Sequence, residues 1–178
     1  MPRKNPRGIS SKRKPDNQQE RPEDVGWIVG FTDGEGCFSV SVIKNATTKT
    51  GWQVFPEFVV TQGSSSQASL EVLQKHFGCG RIFENRRYDN HREHLLRYCV
   101  RSQKELRESI VPFFLKNKLR TKKRKDFELF CQILNLMERR EHIHLKGLRK
   151  IAKLIEKMNR RVPSRLLESS ETTRQTGK

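Results

Sequence analysis

The stretch WIVGFTDGEGCF, residues 27–38, contains the predicted boundary between a helix and a strand. Pro22, five residues earlier, is followed by two acidic residues, and proline with acids in the first turn is typical of a helix start. We therefore predict a helix from residue 22 to about residue 32, ending in an acidic turn at 33–36. From Phe38 onward, apolar and small polar residues alternate, which predicts a half-buried strand over 38–43.

Asp33 and Glu35 are placed by this prediction at the C-terminus of the helix. The helix dipole is negative there, so carboxylates are unfavourable at that end. Two such acids in a strongly basic chain indicate a bound cation, and oxygen ligands select Mg²⁺ or Ca²⁺ over zinc. Spacing alone favours the alternative interpretation, an ordinary turn, because aspartate and glycine are common turn residues.

Gly26 and Gly30 lie four residues apart, on one face of the same predicted helix. Glycine is unfavourable inside a helix by about 1 kcal/mol relative to alanine. The usual compensation is the close approach of another backbone, which the missing side chains permit.

The composition restricts the classes of function. The chain has 178 residues, with 37 lysines and arginines against 20 aspartates and glutamates, which gives a net charge of +17. Such an excess attracts polyanions, with nucleic acid first and an anionic membrane surface second. No run approaches the roughly 20 apolar residues of a membrane helix, and no apolar stretch follows the first residues as in a secretory signal. The four cysteines form no C-x-x-C pair, so we interpret them as reduced thiols.

Charge and hydrophobic periodicity divide the chain into three segments. Residues 1–21 form a basic tail without periodicity, which we expect to be disordered, and 163–178 form a polar C-terminal tail. The interval 22–162 contains the predicted folded domain. We interpret the N-terminal tail either as a solvated segment or as an arm that contacts phosphates without sequence preference.

Beyond the first strand, the pattern predicts a second strand over 53–62 and a helix that ends at Gly78. A hairpin follows, with strands over 81–85 and 94–101. A capping box at residues 102–105 opens the next helix, and Pro112 is expected to disrupt it. After the basic run 116–125, Thr121 is expected to cap a further helix, and the last clear helix runs from about 146 to 158.

This order predicts an α+β fold: a four-stranded antiparallel sheet covered on one face by helices. The other face must meet water or a partner. The side chains predicted to point toward that open face are Ser39, Ser41, Gln62, Arg81, Asn85 and Arg97. Amides, hydroxyls and guanidiniums match the donor and acceptor patterns of base edges, so we favour nucleic-acid contact over an ordinary solvated face.

Four sequence blocks carry a resemblance to a known family. Residues 28–36, IVGFTDGEG, resemble the LAGLIDADG motif of homing endonucleases, and 58–62, FVVTQ, resemble the family's second strand. The basic turn at 119–127 and the C-terminal helix within 141–159 are also similar to family segments. The resemblance implies a LAGLIDADG-type αββαββα domain with a four-stranded antiparallel DNA-binding sheet and additional C-terminal helices.

The resemblance also implies roles for individual residues. Glu35, the second acid of the motif, would be the metal ligand, together with the Gly34 backbone carbonyl. Gln62 would help to place the attacking water, and either Lys122 or Lys123 would offset developing negative charge. The motif helix would form a dimer interface through Gly26, Val29, Gly30 and Asp33, with Asp33 holding the turn. Contacts to DNA would come from Ser39, Ser41, Ile43, Asn45, Arg81, Phe83, Asn85, Arg87, Arg97, Lys116, Lys118 and Arg120.

One motif copy supplies one essential carboxylate, and cutting two strands needs two. The resemblance thus implies a homodimer that makes a double-strand break in a long pseudo-palindromic DNA target, by Mg²⁺-dependent phosphodiester hydrolysis. Ca²⁺ is expected to bind without supporting cleavage.

Two other functions stay open at this point. The first is an RNA-binding maturase that binds its intron RNA without cleaving DNA, and the second is a basic structural protein that binds ribosomes or DNA. The retained Glu35, Gln62 and lysine pair favour the endonuclease. Such a protein is expected inside the cell, where its intron-bearing genome resides: a chloroplast, a mitochondrion or the prokaryotic cytoplasm. No membrane partner is expected.

Overall fold

A computed structural model of the protein describes residues 22–85 and 93–158. Both predicted tails, the hairpin loop that contains Arg87, and residues 159–162 lie outside these ranges. The helices are α1 (Pro22–Glu35), α2 (Gln67–Phe77), α3 (Gln103–Glu105), α4 (Val111–Lys116), α5 (Lys123–Glu138) and α6 (Leu145–Ile155). The strands are β1 (Gly36–Lys44), β2 (Trp52–Gly63), β3 (Arg81–Asn85) and β4 (Leu95–Val100).

The four strands form one antiparallel sheet in the order β1-β2-β4-β3. Gly36 pairs with Val60 and Phe38 with Phe58, while Phe58 also faces Val100 on β4. The α+β class and the four-stranded antiparallel sheet predicted from the sequence are confirmed.

The core lies between one face of the sheet and the helices. Phe38 and Phe58 are fully buried, and their rings stack at a centroid distance of 5.0 Å. Phe114 and Phe127 join them from α4 and α5, with centroids 5.5 and 5.0 Å from Phe38. Burial of each such side chain contributes about 1.5 to 3 kcal/mol, so this aromatic cluster fixes the helices on one side and leaves the opposite sheet face open.

Helix α1 is longer than predicted. It continues through Asp33 to Glu35, and β1 begins at Gly36 without an intervening turn. A Cβ atom at Gly36 would lie 2.7 Å from Thr32 Cγ2 and 2.8 Å from Thr32 O, so only glycine fits this junction without rearrangement. The predicted end near residue 32 was wrong because the last helical carbonyls find a cation on α5, as described below.

The prediction that Pro112 disrupts its helix was also wrong. The segment from α3 to α4 stays helical because a π-helical turn, Leu106–Ile110, precedes the proline. In that turn the Val111 N–H donates to the carbonyl of Leu106, five residues earlier. Such wider turns accommodate a residue that lacks the N–H of a regular helix.

Two local signals are confirmed. Gly78 ends α2 with a left-handed φ of 62°, as a C-terminal glycine should. The Ser102 hydroxyl accepts from the Glu105 N–H at 3.4 Å. Thr121 does not cap α5, because Lys122 is the N-cap residue, although the Thr121 hydroxyl accepts from the Lys123 N–H at 3.2 Å. The four cysteines are free thiols. In the described parts of the chain, each helix is too short or too polar to cross a bilayer.

Candidate active site at the end of helix α1

The acidic end of α1 is solvent-exposed on one side. Gly34 and Glu35 are both exposed, and Glu35 is the last residue of the helix. The backbone then enters the sheet at Gly36. Glu35 therefore lies at the junction of a helix and a strand, at the end of the sheet where β1 begins.

Lys123, the first residue of α5, reaches this acidic end. Its Nζ donates to the carbonyl oxygens of Thr32 at 2.9 Å and Gly34 at 3.2 Å. A cation at a helix C-terminus compensates both the negative dipole and the unsatisfied last carbonyls. This contact explains how two acids are tolerated at an unfavourable helix end.

The charge of Lys123 is sensitive to this environment. Burial lowers the pKa of the Lys123 ammonium below its ordinary value, and the negative charges of Asp33 and Glu35 oppose that change only in part. The side chain of Lys122, in contrast to that of Lys123, is exposed to solvent. The structure thus brings only one of the two candidate lysines to the carbonyls at the end of α1.

Asp33 points toward the loop before α5. Its carboxylate accepts from the Arg120 N–H at 2.7 Å, the Thr121 N–H at 3.3 Å and the Thr121 hydroxyl at 2.8 Å. Partial burial alone would raise the pKa of Asp33, but these hydrogen bonds outweigh it and hold the pKa below its ordinary value. Asp33 therefore ties α1 to the loop that leads into α5 and Lys123.

Gln62 lies at the same end of the sheet. Strand β2 continues past the Gly36–Val60 pair to Gly63, and Gln62, two residues beyond Val60, is therefore beside the end of α1. The prediction that Gln62 points to the open face was wrong. It has the same parity as Phe58 and Val60, and its cross-strand partner is the buried Leu96, so it is half-buried on the helix-covered side.

The open face carries the other predicted sheet residues. On β1, Ser39, Ser41 and Ile43 alternate with the buried Phe38 and Val40. On the two other strands the register places Arg81, Phe83, Asn85 and Arg97 on this same face. Asn45 lies between β1 and β2, where its side chain accepts from Thr47 and donates to Gln53.

Two residues on this face were missed by the sequence reasoning. Glu57 accepts from Arg97 Nη2 at 3.1 Å and from Arg101 Nε at 2.6 Å. The Arg101 guanidinium also lies 5.5 Å from the centre of the Phe83 ring. A groove of about 290 Å³ runs beside this group, lined in part by Ser39, Ser41, Ile43, Phe55, Glu57 and Arg101.

The basic segment before α5 is exposed around one apolar anchor. Leu119 is buried, while Lys116, Lys118 and Arg120 are exposed on either side of it. Because Asp33 binds the backbone N–H groups of Arg120 and Thr121, the end of this segment lies next to the acidic end of α1.

The glycine surface of α1 meets nothing within the described chain. Gly26 and Gly30 are exposed, and a Cβ atom at either would have no neighbour within 4 Å. Trp27, 41% exposed, stacks on Phe31 with ring centroids 4.7 Å apart. Val29 is half-buried.

The donor atoms at this end are oxygens. Within residues 22–85 and 93–158, no group of three or more histidine, cysteine, aspartate or glutamate side chains is placed to hold a metal. Glu35 and the Gly34 carbonyl are the oxygen donors at the exposed end of α1, and their chemistry fits Mg²⁺ or Ca²⁺.

The fold and this site together define a class of protein. Its members have a helix that ends in paired acids above a four-stranded antiparallel sheet with an open polar face. Residues 28–134 match the LAGLIDADG endonuclease family, and the chain belongs to that family.

Comparisons with curated proteins and with solved structures agree with this family assignment. The chain is 33% identical over 144 residues to the probable intron-encoded endonuclease 2 of Neurospora crassa, covering 80% of this chain but 31% of that protein. Among solved structures, the homing endonuclease I-TnaI is 40% identical with a TM-score of 0.74, covering 83% of this chain and 96% of the other. I-SmaMI, solved with an uncleaved DNA target in the presence of calcium ions, is 37% identical with a TM-score of 0.72, covering 80% and 47%.

Proposed function

We propose that the protein is a site-specific DNA endonuclease that hydrolyses phosphodiester bonds with a divalent metal, Mg²⁺. The observation that carries the proposal is the pairing at the end of α1: an exposed Glu35 beside the Lys123 ammonium, which lies 2.9 Å from Thr32 O. RNA binding alone needs neither a metal carboxylate nor a half-buried lysine at this place.

The residues divide the chemistry as follows. Glu35 and the Gly34 carbonyl would hold the metal, which when bound would activate water and stabilise the leaving oxygen. Lys123 carries a positive charge next to this site and stabilises negative charge that develops on the phosphate. Gln62, at the adjacent end of β2, orients the attacking water. Asp33 fixes the loop that leads into α5 and Lys123, and it binds no metal, since three donors already occupy it.

DNA lies across the open face of the sheet in this proposal. Alternating side chains of a strand present donors, acceptors and methyl groups to base edges in the major groove. The exposed Lys116, Lys118 and Arg120 contact phosphates near the cleavage site and fix the register of the duplex. Arg87 is proposed to contribute from the hairpin loop.

A second motif copy completes the site. A single Glu35 cannot serve both strands, and the bare surface at Gly26 and Gly30 allows another helix to approach closely. We propose a homodimer in which two α1 helices pack through Gly26, Val29 and Gly30, with Asp33 at the base of the interface. A two-fold symmetric dimer reads a pseudo-palindromic target.

The protein acts where its intron-bearing genome resides, and intron RNA is a further partner if maturase activity accompanies cleavage. The test uses a duplex of the intronless allele of the gene that flanks its coding sequence. We expect a double-strand break in Mg²⁺, binding without cleavage in Ca²⁺, and no cleavage after chelation. Tight binding of intron RNA with no DNA cleavage in Mg²⁺ would favour the maturase instead.

A further inference from the structure

Glu57 is an acidic side chain in the middle of a sheet face that also carries arginines, serines, an amide and apolar side chains. It lies on β2 opposite Ser39 of β1, with its side chain 17% exposed. On a surface that meets a polyanion, an isolated carboxylate would repel phosphate. Its retention there calls for a role that outweighs this repulsion.

The contacts of Glu57 specify that role. Its two oxygens accept from two different guanidiniums, Oε1 from Arg97 Nη2 and Oε2 from Arg101 Nε. Each arginine uses one nitrogen for Glu57, and within residues 22–85 and 93–158 the other nitrogens donate to no further acceptor. A guanidinium has five N–H donors in a rigid fork, so each arginine keeps donors for a further acceptor.

Arg101 is held on a second side as well. Its guanidinium lies over the Phe83 ring at 5.5 Å, and Phe83 is the cross-strand partner of Arg97. The two arginine side chains are 37% and 53% exposed, so their ion pairs with Glu57 add little to folding stability. What they do provide is a fixed orientation of two long side chains before DNA arrives.

We infer that Glu57 is a positioning residue for sequence recognition: it holds Arg97 and Arg101 in place to read guanine edges and withholds them from indiscriminate phosphate binding. This inference rests on the proposed function. Arginine pairs with guanine through two parallel hydrogen bonds, and that geometry depends on the orientation of the fork. A carboxylate that fixes one edge of the fork leaves the rest directed outward.

The test is a selection of binding sites by the full-length protein, in Ca²⁺, from a duplex pool with randomised bases. We expect Glu57→Gln and Arg97→Ala to lose preference at the same base pairs, by about tenfold each. The double variant should lose no more there than Arg97→Ala alone, because Glu57 acts through the arginine. Glu57→Asp keeps the charge and should recover part of the preference.

A matched control is Glu138→Gln, which removes the same charge and the ion-pair partner of an arginine, Arg107, but on the helical layer. On random duplex, Glu57→Gln should steepen the fall of log affinity with log salt by about 0.9 for each arginine that gains a phosphate. Glu138→Gln should leave both the slope and the selected sites unchanged.

Three outcomes overturn the inference. An unchanged site profile for Glu57→Gln would show that Glu57 positions nothing. A changed preference at base pairs that Arg97→Ala and Arg101→Ala leave intact would show that Glu57 reads a base directly. If the wild-type protein selects no sequence at all, the proposed function fails, and the inference fails with it. Should Glu57→Gln fail to fold, the comparison of Glu57→Asp with Arg97→Ala and Arg101→Ala decides the same question.

Discussion

The last turn of α1 has two sides, and the two acids of the motif lie on different ones. Asp33 is bound by three donors from the loop before α5, whereas Glu35, two residues later, is exposed to solvent. One carboxylate is satisfied within the chain, and the other remains available to bind a metal or substrate. The same residue chemistry therefore serves structure on one side and, we propose, catalysis on the other.

The Glu35 side gives the largest expected effect. Glu35→Gln keeps the shape but removes the charge that holds the metal, so cleavage in Mg²⁺ should fall by about a thousandfold or more. DNA affinity should stay the same or rise, because a negative charge facing phosphate disappears. Cleavage and binding are measured on the same duplex. A variant that cuts as fast as wild type would contradict the metal-carboxylate mechanism even if the fold is correct.

Lys123 joins the two sides, because its ammonium contacts carbonyls of the turn that carries both acids. Lys123→Met should slow cleavage by about 10²-fold, and Lys122→Met, its matched neighbour, by much less. Equal losses would refute the assignment.

The pH dependence of cleavage tests the charge of Lys123. Its pKa is lowered, so the activity that needs the ammonium should decline as pH rises through that pKa, at a lower pH than an ordinary lysine would give. Lys123→Arg keeps its charge to higher pH and should shift the decline upward. A pH–rate profile of the two proteins measures this, and identical alkaline limbs would exclude Lys123 as the titrating group.

A substitution of Asp33 is expected to lower the stability of the fold. Asp33→Asn removes the charge that strengthens its three hydrogen bonds and should lower the free energy of unfolding by about 1 to 2 kcal/mol. Because the folded-state pKa of Asp33 is lowered, its contribution is present above the ordinary pKa of 3.8 and disappears as pH falls through the folded-state value. Denaturant unfolding of both proteins from pH 6 to pH 3 should therefore show the difference shrinking. A constant difference would mean that the charge plays no part.

The sheet could be predicted because its signals are local. Alternation along 38–43 and 53–62, and the glycine at 78, each act within a few residues, and the structure confirms them. The side of Gln62 was also available from the sequence, since it has the parity of Phe58 and Val60, yet its polarity suggested the open face.

The end of α1 could not be predicted in the same way. It depends on Lys123, which is about 90 residues away in sequence and reaches the carbonyls of Thr32 and Gly34 only in the folded chain. The same holds for Glu57, whose partner Arg97 is 40 residues distant and is brought close by the pairing of β2 with β4. Composition and periodicity carry no information on such contacts.

The smallest expected effect comes from a substitution of Thr32, on the buried side of the turn. It tests whether the polar groups on that side all have hydrogen-bond partners. It is fully buried, its hydroxyl has no hydrogen-bond partner in the described structure, and its carbonyl receives Lys123. Thr32→Val replaces the hydroxyl by a methyl group of similar size and removes an unpaired buried donor. We expect the free energy of unfolding to rise by about 1 kcal/mol, with cleavage unchanged because the backbone carbonyl stays in place. Thermal unfolding and the cleavage rate are measured together. A loss of stability would mean that the hydroxyl has a partner in solution, and a loss of cleavage at unchanged stability would place Thr32 on the functional side of the turn.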